Sequence, residues 1–191
     1  MKALRTNTCI VFCFCLFPVS LFSQERVEHD RSKSCREFVA KFYSWYLAEG
    51  AKHNRLPDSD SVLASRPYLF SSDLVRQLRE DSEAQKKAGS DLVSIEADPF
   101  LGADGLAERY AVEKIPVEDG RCWAEVHGVW GAKENAGPDV TPELVEKSGR
   151  WLFVNFYFPS PSDPKAWNLR GELEAGRTLR RQYGPGSNKR P

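Results

Sequence analysis

The stretch from Trp151 to Phe158 limits the possible folds of this chain more than any other segment. As an extended strand it is apolar on both faces, with Leu152, Val154, Phe156 and Phe158 on one side and Trp151, Phe153, Asn155 and Tyr157 on the other. Such a strand is expected at the centre of a sheet with cover above and below. Lys147, Ser148 and Gly149 connect it to Val140–Glu146, which reads as its hairpin partner, and Pro142 places that partner at an edge or a bulge. A second hairpin is expected upstream, where Tyr110–Val117 and Arg121–Trp130 flank Glu118, Asp119 and Gly120, because Asp-Gly between alternating runs favours a tight turn.

The segments before these strands have a helical period. Ser34 and Glu37 have the spacing of a capping box, and Cys35, Phe38, Val39, Phe42, Trp45 and Tyr46 then fall on one helix face up to Gly50. Residues 51–68 read as a polar connection. Its Asp58 and Asp60 lack the glycine and the terminal glutamate of a calcium loop, so no metal is expected there. A second helix follows Ser71 and Ser72, turns Leu74, Val75 and Leu78 inward, and stops at Gly89. A short C-terminal helix is expected to open at Ser162, before Asp163 and Pro164, and to carry Trp167, Leu169, Leu173 and Leu179. Helices followed by an antiparallel meander are α+β order.

The N-terminus reads as an export signal. Lys2 and Arg5 precede an apolar run from Cys9 to Phe17, broken by Pro18, and cleavage is expected after Ser23. The run falls short of the roughly 20 apolar residues that span a bilayer, so no transmembrane segment is expected after cleavage. The expected organisation is a signal peptide at 1–23, a leader without fixed structure at 24–33, one α+β domain at 34–182 and a disordered basic tail at 183–191, in a protein that is periplasmic or secreted. Cys9, Cys13 and Cys15 leave with the signal. Cys35 and Cys122 remain, either as a structural disulfide or as two buried thiols. The 27 basic and 27 acidic residues give no net charge, and losing Lys2 and Arg5 makes the remainder slightly acidic, which argues against a nucleic-acid partner.

No Gly-rich phosphate loop, zinc-ligand spacing or internal repeat is present, so neither a cofactor nor a metal is expected. Among the histidines, His29 lies in the leader and His53 in the polar connection. His127 shares a strand face with Trp123, Glu125 and Val129, opposite the more apolar Cys122, Ala124, Val126 and Trp130, and is expected to be exposed or half-covered. Asp98, before Pro99, is first a turn residue. Inside a pocket, burial would raise its pKa and fit it for proton transfer near neutral pH. Tyr46, Tyr110, Asn155 and Tyr157 carry polar tips on larger bodies and are the other candidates for a ligand site.

Four segments together resemble a known family: Phe38–Leu47, Leu69-Phe70-Ser71 leading to Asp81 and Ala84-Gln85, Asp98-Pro99-Phe100-Leu101, and Gly149–Phe156. The chain is similar there to the exported bacterial proteins grouped as domain of unknown function 3828. It departs from their pattern at Gly102–Gly105 and at Tyr157-Phe158-Pro159. The resemblance implies a cone like that of nuclear transport factor 2 or cystatin, with a curved antiparallel sheet wrapped around the N-terminal helices. It implies no particular activity. Two functions are then in play. One is an exported, non-catalytic domain that binds a protein or small-molecule ligand, as an envelope accessory or immunity-type protein. The other is a small cone-fold enzyme doing proton transfer or hydrolysis on a small apolar substrate, with Asp98 or His127 as base and Tyr110 or Tyr157 as donor.

Overall fold

The computed structural model describes residues 19–88, 97–102, 105–134, 137–159 and 167–183. Most of the signal reading, the helix stop at Gly89, the helix start at Ser162-Asp163-Pro164 and the tail beyond 183 lie outside them. The architecture is α+β, with helices first, antiparallel sheets next and a short C-terminal helix last.

Helix α1 spans Val19–His53. It buries Cys35, Val39, Phe42, Tyr43 and Tyr46, with Phe38 and Trp45 packed beside them. Ser34 does not start it. Residues 24–33, expected to lack fixed structure, are helical, since they contain neither glycine nor proline and many good helix formers, and a helix nucleated on the aromatic stripe extends back through them cheaply. The Ser34 hydroxyl donates to the Arg31 carbonyl at 2.9 Å and accepts from the Trp151 indole N–H at 3.0 Å. Arg31 also pairs with Glu146 at 3.0 Å, so this part of the helix is tied to the sheet. The helix does not stop at Gly50 either. Asn54 takes the left-handed conformation at φ 50°, and the Arg55 N–H returns to the Gly50 carbonyl at 3.2 Å, a Schellman closure with asparagine in the glycine role.

The connection that follows contains a helix of its own, α2 at Ser59–Ser65. Asp58 caps it by accepting from the Ser61 N–H, and Val62 and Leu63 are buried. Asp60 pairs with Lys86 and accepts from Ser82. A 3-10 turn at Pro67–Leu69 leads to α3 at Ser72–Ala88, with Ser71 as its cap.

Strands β1 (Arg109–Val112), β4 (Val126–Trp130) and β5 (Lys133–Glu134) form one sheet; β2 (Val117–Glu118), β3 (Arg121–Trp123), β6 (Thr141–Lys147) and β7 (Arg150–Tyr157) form the other, in that order. Both expected turns are two residues long with positive φ throughout, Asp119 at 49° and Gly120 at 72°, then Ser148 at 52° and Gly149 at 71°. The first hairpin is divided between the sheets by a bulge. Glu125 accepts from the Glu113 N–H and donates to the Lys114 carbonyl, so two residues face one.

A second bulge changes the reading of 151–158. Glu143 pairs with Asn155 while Leu144 pairs with Phe153, which leaves Val154 as the extra residue. Strict alternation would put Phe153 and Phe156 on opposite faces, whereas the bulge stacks their rings at 5.2 Å in the core. Strand β7 is also not central. It ends its sheet, and its outer edge is closed by two single bridges, Phe70 to Phe153 and Asn168 to Tyr157. Pro142 sits beside this bulge, inside an interior strand.

Helix α4 spans Leu169–Tyr183. Asn168 caps it by accepting from the Gly171 N–H at 3.0 Å, and Trp167 lies before it, exposed and packed on Phe158 at 4.8 Å. Three arginines of α4, Arg170, Arg177 and Arg180, pair with Asp73, Glu80 and Asp81 of α3. Cys35 of α1 and Cys122 of β3 are joined in a disulfide with a Cα separation of 6.8 Å, both fully buried.

Candidate functional site

The segment before β1 brings Asp98 against the inner face of α1. Its Oδ1 accepts from the Phe100 and Leu101 N–H groups, each at 2.9 Å, and its Oδ2 accepts from the Tyr46 hydroxyl. The Asp98 carbonyl receives the Gly102 N–H at 2.8 Å, closing one helical turn. Only glycine suits position 102, because φ is 64° and a Cβ there would come within 2.3 Å of the Phe158 ring. Next to this knot, the Tyr43 hydroxyl donates to the Phe100 carbonyl at 2.8 Å, and its ring lies 5.2 Å from that of Tyr110. Burial dominates the electrostatics. It raises the Asp98 carboxyl to about 6 against three hydrogen bonds that favour the anion. Burial and then the nearby Asp98 charge raise the Tyr43 and Tyr46 hydroxyls, and burial raises Tyr110 to about 12. These phenols stay protonated at any physiological pH.

The six candidate ligand residues therefore divide. Tyr46, Asp98 and Tyr110 gather around Tyr43 in the interior. Asn155 and Tyr157 lie elsewhere: Asn155 accepts from the Arg170 N–H and donates to Asn168 at the start of α4, while Tyr157 donates to Glu143 at 3.0 Å. Glu143, itself buried, also pairs with Arg121. His127 is buried, at 6% exposure, rather than on a solvated face. The alternation fails on β4 because Val126, His127, Gly128 and Val129 are all covered, and the side chain left in solvent is Trp130, folded back over Gly128. His127 Nε2 lies 3.9 Å from the Glu125 carboxylate.

Three surface grooves of about 430, 680 and 350 Å³ are lined by none of these six residues. All three meet at Tyr68, which is 57% exposed on its 3-10 turn. In the first, the Arg66 guanidinium lies 4.4 Å above the Trp45 ring and donates to the Tyr68 hydroxyl at 3.2 Å. The second is walled by Pro67, Phe70 and Val75, the third by Phe38, Leu69 and Trp151. Arg66 and Tyr68 carry little signal in the sequence because they fall in what reads as a polar connection. The available signal is Pro67, whose fixed φ and missing N–H suit the first position of a turn.

Among the described residues no group of three histidine, cysteine or acidic side chains is placed to hold a metal ion, and no helix is long and apolar enough to cross a membrane. No family model, no curated protein and no solved structure matches this chain.

Proposed function

We propose that this chain is an exported, non-catalytic binding domain that meets its partner on the surface around Tyr68. The observation that carries this reading is the contrast between the two clusters. Asp98, the best candidate for an acid or base, has both carboxylate oxygens engaged by three donors inside a packed core of Phe42, Tyr46 and Phe100. General acid-base catalysis needs a group within reach of a substrate proton. The Tyr68 surface instead combines aromatic carbon, a poised cation and open grooves, the usual makings of a binding hot spot.

Export is supported by the N-terminal signal pattern and by a buried disulfide, a bond that persists in oxidising compartments. Membership of the exported family named above, with its cone-shaped fold, is part of the same proposal. It is supported by the coincidence of the resembling segments with the buried helix stripe, the Asp98 turn and the β6–β7 hairpin.

The test is site-specific photocrosslinking in cells that export the protein, with the crosslinker at Tyr68 or, as control, at Glu118 on the far hairpin. The expected result is an adduct from position 68 alone, whose partner, once purified, binds the protein saturably. Hydrolysis of small esters by the wild type that disappears in Asp98→Asn would overturn the reading in favour of an enzyme.

A further inference from the structure

We infer that the groove holding Arg66 is a carboxylate subsite and that the surface around Tyr68 takes an acidic, apolar peptide segment of a protein partner. This rests on the binding role proposed above and names the chemistry of the ligand. Arg66 is half-buried and fixed from two sides, by the Trp45 face and by the Tyr68 hydroxyl. Arg31, Arg76, Arg121, Arg170, Arg177 and Arg180 each pair with a carboxylate. Among the described residues no ion pair is formed by Arg66, as none is by Arg55, Arg79, Arg109 or Arg150, but Arg66 alone of these lies on an aromatic face, with the more distant Glu49 charge acting on it. The acidic residue that lines its groove, Glu49, is held by Lys52 at 2.6 Å. The groove serines are also committed: Ser61 donates to Asp58, and Ser65 donates to the Ser61 and Val62 carbonyls. What remains for a ligand is a pre-organised guanidinium edge on an aromatic platform. A flat guanidinium with unused N–H donors matches a carboxylate in bidentate geometry, and its fixed position lowers the entropy lost on binding.

The second groove decides the kind of carboxylate. It begins on the other side of the Tyr68 ridge, where Pro67, Phe70 and Val75 give an exposed lining that is mostly carbon, with Ser72, Arg76, Arg79, Glu80 and Glu83 around it; Glu80 is held by Arg76 and Arg177. A chain crossing the ridge with an acidic side chain in the first groove and an apolar one in the second satisfies both. An acidic polysaccharide would match only the first.

The probe is a fluorescein-labelled peptide library with Glu or Asp at one position and Leu, Ile, Val or Phe at the next, titrated against the oxidised full-length protein by anisotropy. Its counterpart carries Gln or Asn at the acidic position. Saturable binding of the acidic library is expected, weakened about tenfold or more by Arg66→Gln and by the amide counterpart, as for loss of a charge-assisted hydrogen bond. Tyr68→Ala, at an exposed side chain that the fold does not need, should weaken it comparably, and salt should reduce the affinity of the wild type more than that of Arg66→Gln. No saturable binding, equal binding of the amide library, unchanged affinity in Arg66→Gln, or preferential binding of polygalacturonate would overturn the inference. An intact photo-adduct at Tyr68 alongside any of these would leave the binding role standing and refute only the ligand chemistry, whereas Asp98-dependent turnover would remove both.

Discussion

At the scale of the residue, Asp98 shows how one side chain can be read as a turn former and as an acid at once. Its Oδ1 makes the turn and its Oδ2 meets Tyr46, so a backbone role and a titration share one carboxyl group. Burial raises its pKa from 3.8 to about 6. A carboxyl whose pKa is raised by folding stabilises the fold in its protonated form. That contribution is fully present below pH 3.8 and is lost as pH rises through about 6. The Asp98→Asn substitution would keep the shape and one acceptor without titrating. In urea unfolding of both proteins, the wild type should therefore lose about 2 kcal/mol relative to Asp98→Asn between pH 4 and pH 7. A difference that stays constant across this range would mean that Asp98 does not titrate there. The turn role was legible from Asp-Pro in the sequence. The contact with Tyr46, 52 residues away, was not, because it depends on where the segment before β1 docks on α1.

At the scale of the element, α1 organises the core. Phe42 has ring contacts with Phe70, Phe100 and Phe153, from the 3-10 turn region, the Asp98 turn and β7, at centroid distances of 5.9, 5.9 and 4.9 Å. Phe42→Ala should cost about 3–5 kcal/mol in denaturant unfolding, since three separate segments lose the same partner and cannot all collapse into the gap. A loss below about 1 kcal/mol would mean that the site refills or that the ring is not central. The stripe containing Phe42 was legible because helical periodicity is local. The stacking of Phe153 on Phe156 was not. It follows from the bulge at Val154, and a bulge is set by the register of the partner strand, not by the alternation of the bulged one. His127 was misplaced for a related reason, since the alternation rule assumes a single solvated face and β4 has none.

At the scale of the whole molecule, the Cys35–Cys122 bond ties the helical layer to the sheet across a sequence separation of 87 residues. Closing so long a loop restricts the unfolded chain by about 4 kcal/mol on the chain-entropy account. The Cys35→Ala, Cys122→Ala double variant, which leaves no buried hydroxyl, should lose about that much in urea unfolding and more than either Tyr68→Ala or Arg66→Gln. A double variant as stable as the wild type would show that packing alone holds α1 to β3. What could be read from the sequence was the succession of helices and then antiparallel strands, both tight turns and the inward stripe of α1, but not helix α2, because each of the former has a clear signal within a few neighbouring positions. Tertiary structure alone decided that Asp98 is walled in while Tyr68 is exposed, that two cysteines meet, and that Arg66 rests on Trp45 rather than on a carboxylate. Each of these is a question of which distant surface a side chain meets, and that is settled only when the layers pack.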